Sequence, residues 1–126
     1  MEKTAIVTGS SRGIGRAIAL ALAKEGFNVV INGKNKKNVY ETVKYIEKFS
    51  DTKIFPIVAD ISNYKQAYKL IQTTIKKLKK VDVLINNAGT IVVNPLTKTS
   101  YKDWKQVLDT NLNGTFYCCK EILPHL

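Results

Sequence analysis

Three glycines, Gly9, Gly13 and Gly15, alternate with Thr8, Ser10, Ser11 and the cation Arg12 in the stretch TGSSRGIG. Glycine at fixed offsets removes side chains where something must come very close to the backbone. The stretch follows the apolar run TAIV and leads into a helical pattern. At the start of a helix, such a loop offers unpaired N–H groups and a partial positive charge, which is the chemistry of a phosphate or diphosphate site. Further polar residues stand where apolar runs stop: Asp60, the NNAG of Asn86–Gly89 and the NLNG of Asn111–Gly114.

The elements that must position these residues are legible as alternating periods. Lys3–Thr8, Asn28–Gly33 and Lys53–Asp60 are short β-branched runs, as expected of strands buried on both faces, and Val81–Gly89 is a fourth strand running into a turn. Between them lie helical patterns. Ile14, Ala17, Ile18, Ala21 and Leu22 share one face, and Gly26 closes that helix. Val39, Val43 and Ile46 mark a second helix. Ser62 is placed to cap a third, with Tyr64, Ala67, Tyr68, Ile71, Ile75 and Leu78 inward. Ser100 caps the next, with Trp104, Val107 and Leu108 inward, and a last helix starts near Asn111. The β-α-β-α-β-α-β-α order predicts an α/β fold: a Rossmann-type doubly wound parallel sheet in the order 3-2-1-4. Pro56 suits the edge position this gives the third strand. The glycine loop then sits between the first strand and its helix, where a dinucleotide diphosphate binds in such sheets. Asp60, at the carboxyl end of a parallel strand, faces the ligand crevice; capping the following helix is its other reading.

Composition narrows the function classes. The 126 residues, 44% of them hydrophobic, suffice for one domain spanning 1–126. No stretch approaches the roughly 18–20 apolar residues of a membrane span, and MEKTAIV reads as part of the fold rather than a leader, so a cytoplasmic protein is expected. Twenty basic against ten acidic residues give a formal net charge of +10. The lysines are spread along helix faces, with small clusters at Lys34/Lys36/Lys37 and Lys76/Lys77/Lys79/Lys80 and no stacking-aromatic pattern, so nucleic acid is not the expected partner. Cys118 and Cys119 are neighbours on a helix, poorly placed for a disulfide, and with His125 they make no metal framework. They read as small apolar fillers. His125 has no serine or acid arranged with it, which excludes a triad.

The glycine spacing G-x-x-x-G-x-G after Thr8, the AD and IS of Ala59–Ser62, NNAG and NLNG come in one order over nearly the whole chain, and together they resemble the short-chain dehydrogenase/reductase family. Within it the sequence is similar to the 3-oxoacyl-carrier-protein reductases. The resemblance implies hydride transfer between a nicotinamide and a carbonyl or alcohol substrate. It also implies roles: Gly9, Ser11, Arg12, Gly13, Ile14 and Gly15 at the diphosphate and adenosine side, Asp60 and Ile61 at the adenine, and Asn87, Ala88 and Gly89 along the ribose and nicotinamide. Asn86 would brace strand contacts. Asn111 would hold a water of the proton relay, although asparagine is also a common cap.

An NAD site carries an acid at the end of the second strand, about 20 residues past the glycines. Here the segment reads INGKNKK; Gly33 occupies the acid's place and Lys34 follows. A carboxylate would repel a 2′-phosphate, and Lys34 with Arg12 would attract it, so NADP(H) is expected over NAD(H). The alternative is that Lys34, Lys36 and Lys37 merely coat a helix start, where cations oppose the dipole.

The family's serine on a fifth strand, and its tyrosine with a lysine four residues on, fall after the NLNG helix. Tyr40–Lys44 and Tyr101–Lys105 have that spacing but come too early. The expectation is therefore a dinucleotide-binding domain truncated before strand 5. Its fourth strand would keep a bare edge, and Phe116, Ile122 and Leu123 would lack cover. Self-association or a partner chain follows from that. The alternative function is a non-catalytic dinucleotide-binding module acting through a partner.

Overall fold

The computed structural model describes residues 2–126. Four strands, β1 (Thr4–Val7), β2 (Asn28–Gly33), β3 (Ile54–Val58) and β4 (Val83–Ile85), form one sheet in the order β3-β2-β1-β4, with every pairing parallel. The expected order is the observed one. β1 and β2 are buried along their whole length, which explains the apolar stretches Ala5–Val7 and Val29–Ile31. Pro56 lies on the edge strand β3, opposite Ile31.

The helices α1 (Gly13–Lys24) and α2 (Lys36–Glu47) cover one face, packing Ala19, Ala23, Val39, Val43 and Ile46 on Val7, Val29 and Ile31. The other face packs Ile6 and Val30 under α3 (Tyr64–Leu78) and the C-terminal helix, through Ala67, Leu70, Ile71, Cys118 and Ile122. The sheet is thus doubly wound.

Several sequence expectations are corrected. The buried face of α1 is Gly15, Ala19 and Ala23, while Ala17 and Ala21 are exposed, because the smallest residues allow the helix to lie closest to the sheet. On α3, Tyr64 and Tyr68 face solvent and Leu70 is buried instead. The cap of α3 is Asn63, whose Oδ1 accepts from the Lys65 and Gln66 N–H groups, and Ser62 has a different task. Trp104 is exposed. Ser100 does cap its helix, α4 (Tyr101–Leu108), accepting from the Asp103 N–H at 3.0 Å. The two last helices of the sequence reading are one: α4 continues through a π-turn, Asp109–Asn113, into α5 (Gly114–Ile122). Ile122 is buried, whereas Phe116 and Leu123 are exposed as expected.

Two local features give stability predictions. Lys79, at the end of α3, has φ +70°, a left-handed conformation that costs a side-chain-bearing residue energy and glycine none. Lys79→Gly is expected to stabilise the fold by about 1 kcal/mol, read as a higher urea midpoint with an unchanged slope.

Asp82 clasps the start of β4 to β1. Its carboxylate accepts from the Thr4 N–H at 2.8 Å, and its own N–H donates to the Thr4 carbonyl at 2.8 Å. The Thr4 N–H, more than the Lys80 ammonium 3.2 Å away, holds the Asp82 carboxyl below the usual carboxylate range. A depressed folded pKa stabilises above the unfolded value, and the gain disappears as pH falls through the folded one. The urea midpoint should therefore decline below about pH 4. Asp82→Asn should be less stable at pH 7 and show a smaller acid decline.

Candidate functional site

The carboxyl ends of the four strands open into one cleft of about 490 Å³. Its walls are the glycine loop, the end of β2 with Lys34 and Asn35, the segment Ala59–Ile61 after β3, the segment Asn87–Thr90 after β4, and Thr110 of the π-turn. Of the residues to which the resemblance gives a cofactor or relay role, with Lys34, all but Gly15 and Asn111 line it directly. A second groove of about 400 Å³, between β3 and α3, is apolar apart from Gln66, Lys69 and Thr73 and contains none of them.

The glycine loop is held from below by its neighbours. Gly9 has φ +60°, and a Cβ there would lie 2.7 Å from the Ala88 Cα, so both conformation and space require glycine. Thr8 Oγ1 accepts from the N–H groups of Asn87 and Ala88, each at 3.0 Å. Asn87 Nδ2 donates to the carbonyls of Thr8 and Gly9 at 3.1 and 3.0 Å. The brace between β4 and the loop is therefore Asn87, placed by the sequence reading along the ribose. Asn86, expected to brace, is exposed and reaches only Cys119 Sγ at 3.3 Å. Both residues lie beyond β4, and there the Asn87 side chain turns onto the glycine loop while that of Asn86 points to α5. Gly15 is a packing residue beneath the loop.

Above this brace, α1 presents the N–H groups of Gly13, Ile14 and Gly15, which have no helical carbonyl to bond. Arg12 precedes them in extended conformation, with its side chain exposed and no capping bond. Lys34 is exposed on the adjoining wall, and Asn35 caps α2 by accepting from the Asn38 N–H at 3.0 Å. Two helix N-termini and two cations thus meet at one end of the cleft, a strongly anion-attracting arrangement. Lys36 and Lys37 lie in the first turn of α2 outside the cleft, with the Lys36 ammonium 5.8 Å from the centre of the Tyr40 ring. For those two lysines the helix-coat reading holds.

The wall after β3, next to Lys34, carries the acid. Asp60 Oδ1 accepts from the N–H and the hydroxyl of Ser62 at 3.0 and 2.7 Å, so Asp60 shapes the loop before α3 without capping it. This is the task of Ser62. Ile61 is buried, and a Cβ on Gly114 would fall 2.6 Å from its Cδ1, so the glycine of NLNG lets α5 lie against this loop.

Asn111 is not a helix cap. It sits inside the π-turn, where its Oδ1 accepts from the Thr90 N–H and its Nδ2 donates to the Thr90 carbonyl, both at 2.8 Å. The pair clamps the segment after Gly89. An amide carries two donors and two acceptor lone pairs, so the Thr90 bonds use one of each. The Lys105 ammonium pairs with Asp109 Oδ2, and Asp109 Oδ1 accepts from Asn113 Nδ2 at 2.9 Å.

Tyr40 and Tyr101 lie outside the cleft. Cys118 is buried, and desolvation pushes its thiol up to about 12, as suits a filler. Among the described residues no three His, Cys, Asp or Glu side chains gather, and no helix is long and apolar enough to cross a membrane. Sequence reasoning missed Asn32, whose side chain ties the loops together. The available signal was a polar residue inside an otherwise apolar buried strand.

A parallel sheet in this order, with a glycine loop opening its first helix at the switch point, defines a Rossmann-type α/β domain. Residues 3–126 match the short chain dehydrogenase family profile, and the chain belongs to that family. It is 40% identical over 126 residues to a 3-oxoacyl-[acyl-carrier-protein] reductase of Staphylococcus epidermidis, covering 100% of this chain and 52% of that protein. It is 39% identical over 126 residues to the Staphylococcus aureus protein of the same name, covering 100% and 51%. The crystal structure of a putative short-chain alcohol dehydrogenase from Sinorhizobium meliloti superposes with a TM-score of 0.89 at 32% identity, covering 94% of this chain and 47% of that one. The chain spans about half the length of these relatives.

Proposed function

We propose that residues 1–126 form a dinucleotide-binding domain whose cleft takes NADP(H), serving an oxidoreductase that interconverts a carbonyl and an alcohol. The observation that carries this reading is the meeting of Arg12, Lys34 and two helix N-termini where the glycine loop adjoins the end of β2, with Asp60 after β3 on one side and Ala88 and Gly89 after β4 on the other. The fit is physical. The free N–H groups of Gly13, Ile14 and Gly15 match a diphosphate. Gly33, in the place of an NAD-selecting acid, is itself filled against: a Cβ there would lie 2.6 Å from Ser11 Oγ.

In this reading Gly9, Ser11, Arg12, Gly13, Ile14 and Gly15 hold the diphosphate and adenosine side, with Arg12 and Lys34 toward a 2′-phosphate. Asp60 and Ile61 hold the adenine; Asn87, Ala88 and Gly89 border the ribose and nicotinamide. The bound cofactor supplies or accepts a hydride. Asn111, through its remaining donor and acceptor, holds a water of the proton relay.

The substrate class, by similarity to the named reductases, is a 3-oxoacyl thioester. The ionisable side chains lining the cleft are Arg12, Lys34 and Asp60, and among the described residues no tyrosine, histidine or cysteine lines it. That observation favours a second reading for these 126 residues: a binding unit completed by another chain. The β4 edge away from β1 and the exposed Trp104, Leu112, Phe116 and Leu123 offer a surface for such a chain or a second copy.

Calorimetric titration of the purified chain tests the proposal. NADPH should bind at least ten times more tightly than NADH. Binding of neither would overturn the dinucleotide reading; equal binding would overturn the NADP preference. Turnover of a 3-oxoacyl thioester by the chain alone would exclude the second reading.

A further inference from the structure

Asn32 is 1% exposed and lies at the carboxyl end of β2, between the two loops that wall the adenosine end of the cleft. Its four polar groups all reach across to those loops. On the glycine-loop side, its Oδ1 accepts from the Gly9 N–H at 3.2 Å, its N–H donates to Ser10 Oγ at 2.9 Å, and its carbonyl accepts from the Ser10 N–H at 2.7 Å. On the β3 side, its Nδ2 donates to the carbonyls of Ile57 and Ala59 at 3.1 and 3.2 Å. Ala59 is followed directly by Asp60 and Ile61.

Among the described residues no direct hydrogen bond joins the glycine loop to the segment after β3, and β1 and β3 are not sheet neighbours. The chemistry demands an amide. One side must accept from an N–H while the other donates to two carbonyls, and among short side chains asparagine does both. An aspartate would turn an acceptor toward two carbonyl oxygens. A leucine would leave the half-buried Gly9 N–H without its partner.

We propose that Asn32 is a positioning residue of the cofactor site: by bonding Gly9 on one side and Ile57 and Ala59 on the other, it fixes the gap between the loop that meets the diphosphate and the loop that meets the adenine. The proposal rests on the dinucleotide reading for its effect on ligand, but the clasp itself is a property of the free protein. Because Asn32 acts on the adenosine end, its loss weakens ligands with and without nicotinamide by the same factor.

The test compares Asn32→Leu and Asn32→Asp with wild type for binding of NADPH and of 2′-phospho-ADP-ribose, which lacks the nicotinamide. It also follows amide exchange of Gly9 in the ligand-free protein. Thr74→Val is the control; its buried hydroxyl bonds the Leu70 carbonyl at 2.9 Å, within α3 and outside the cleft. The expected result is a loss of tenfold or more for both ligands in the Asn32 variants, faster exchange at Gly9, and unchanged affinity in the control despite lower stability. If Asn32→Leu does not fold, Asn32→Ser is read in the same way. Affinity within twofold of wild type, or a loss no larger than the control's, overturns the proposal. If wild type binds neither ligand, the dinucleotide reading fails by itself. Gly9 exchange then decides the clasp, and unchanged protection at Gly9 overturns it.

Discussion

Gly15→Val is expected to abolish the proposed dinucleotide binding and to destabilise the fold strongly, the largest effect expected of a single substitution in the chain. A Cβ at Gly15 would lie 2.4 Å from Asn87 Nδ2, 2.4 Å from the Gly9 carbonyl oxygen and 2.9 Å from the Ser10 Cα. Two of these contacts are backbone, so no rotamer change relieves them. Either α1 moves off the sheet or the glycine loop moves off β4, and in both cases the Asn87 bonds to Thr8 and Gly9 break. Overpacking of this kind costs about 3 kcal/mol, and the displaced loop no longer presents the N–H groups of α1. NADPH titration beside urea unfolding checks both parts. Gly26→Ala provides the comparison. Gly26 has φ +94°, nothing stands within 4 Å of an added Cβ, and it lies outside the cleft. It should lose about 1–3 kcal/mol of stability to backbone strain with affinity intact. Wild-type affinity in Gly15→Val would mean that the loop does not have to sit where the structure has it.

The sheet order was readable because it follows from few constraints. Two unbroken apolar runs had to be central, Pro56 had to be peripheral, and helices between parallel strands had to cover both faces. The glycine loop was readable for the same reason, being fixed by its place between β1 and α1. What failed were judgements of facing. Hydrophobic periodicity weights large side chains, so Ile14 and Ile18 were expected to lead the buried face of α1. The packing distance instead favoured Gly15, Ala19 and Ala23. Tyr64 and Tyr68 were expected inward by size, but a helix on a flat sheet buries only a narrow stripe, here Ala67, Leu70, Ile71 and Thr74.

Polar residues were the hardest to place. Neighbouring asparagines in NNAG are the same residue type, and only the folded loops decide that Asn87 bonds Thr8 and Gly9 while Asn86 reaches Cys119. The π-turn at Asn111 leaves no periodic signature, because one extra residue in a helical turn looks like a boundary between two helices. Its consequence is functional in form: it turns the Asn111 amide onto Thr90. Asn32 was passed over because a single polar residue in a buried run reads as a strand end. Only the coordinates show which loops it bonds.

The second large effect concerns the phosphate end. Arg12→Ala and Lys34→Ala are each expected to weaken NADPH by about 10–100-fold, the range of a lost charge-assisted hydrogen bond. NADH, which lacks the 2′-phosphate, should change little. The two side chains stand on different walls, one before α1 and one after β2, so the double variant should approach the product of the single losses. General charge does not account for this pattern, because a formal net charge of +10 falls only to +9 on losing one cation (10 − 1). A loss shared equally by NADPH and NADH in Arg12→Ala would instead place the guanidinium on the diphosphate and leave Lys34 as the selecting residue. Reversing the preference by placing an acid at position 33 should fail in isolation. A Cβ at Gly33 meets Ser11 Oγ at 2.6 Å and Ser11 Cβ at 3.0 Å, and Ser11 is held through its carbonyl by the Thr42 hydroxyl at 2.8 Å. Gly33→Asp should therefore lose both cofactors by distorting the glycine loop, whereas Gly33→Asp with Ser11→Gly should recover NADH binding. On the proposed NADP(H) reading, packing would then count as much as charge: Ser11, from the loop on the other side, and Val39, with its Cγ2 at 3.1 Å, both crowd any side chain placed at the end of β2.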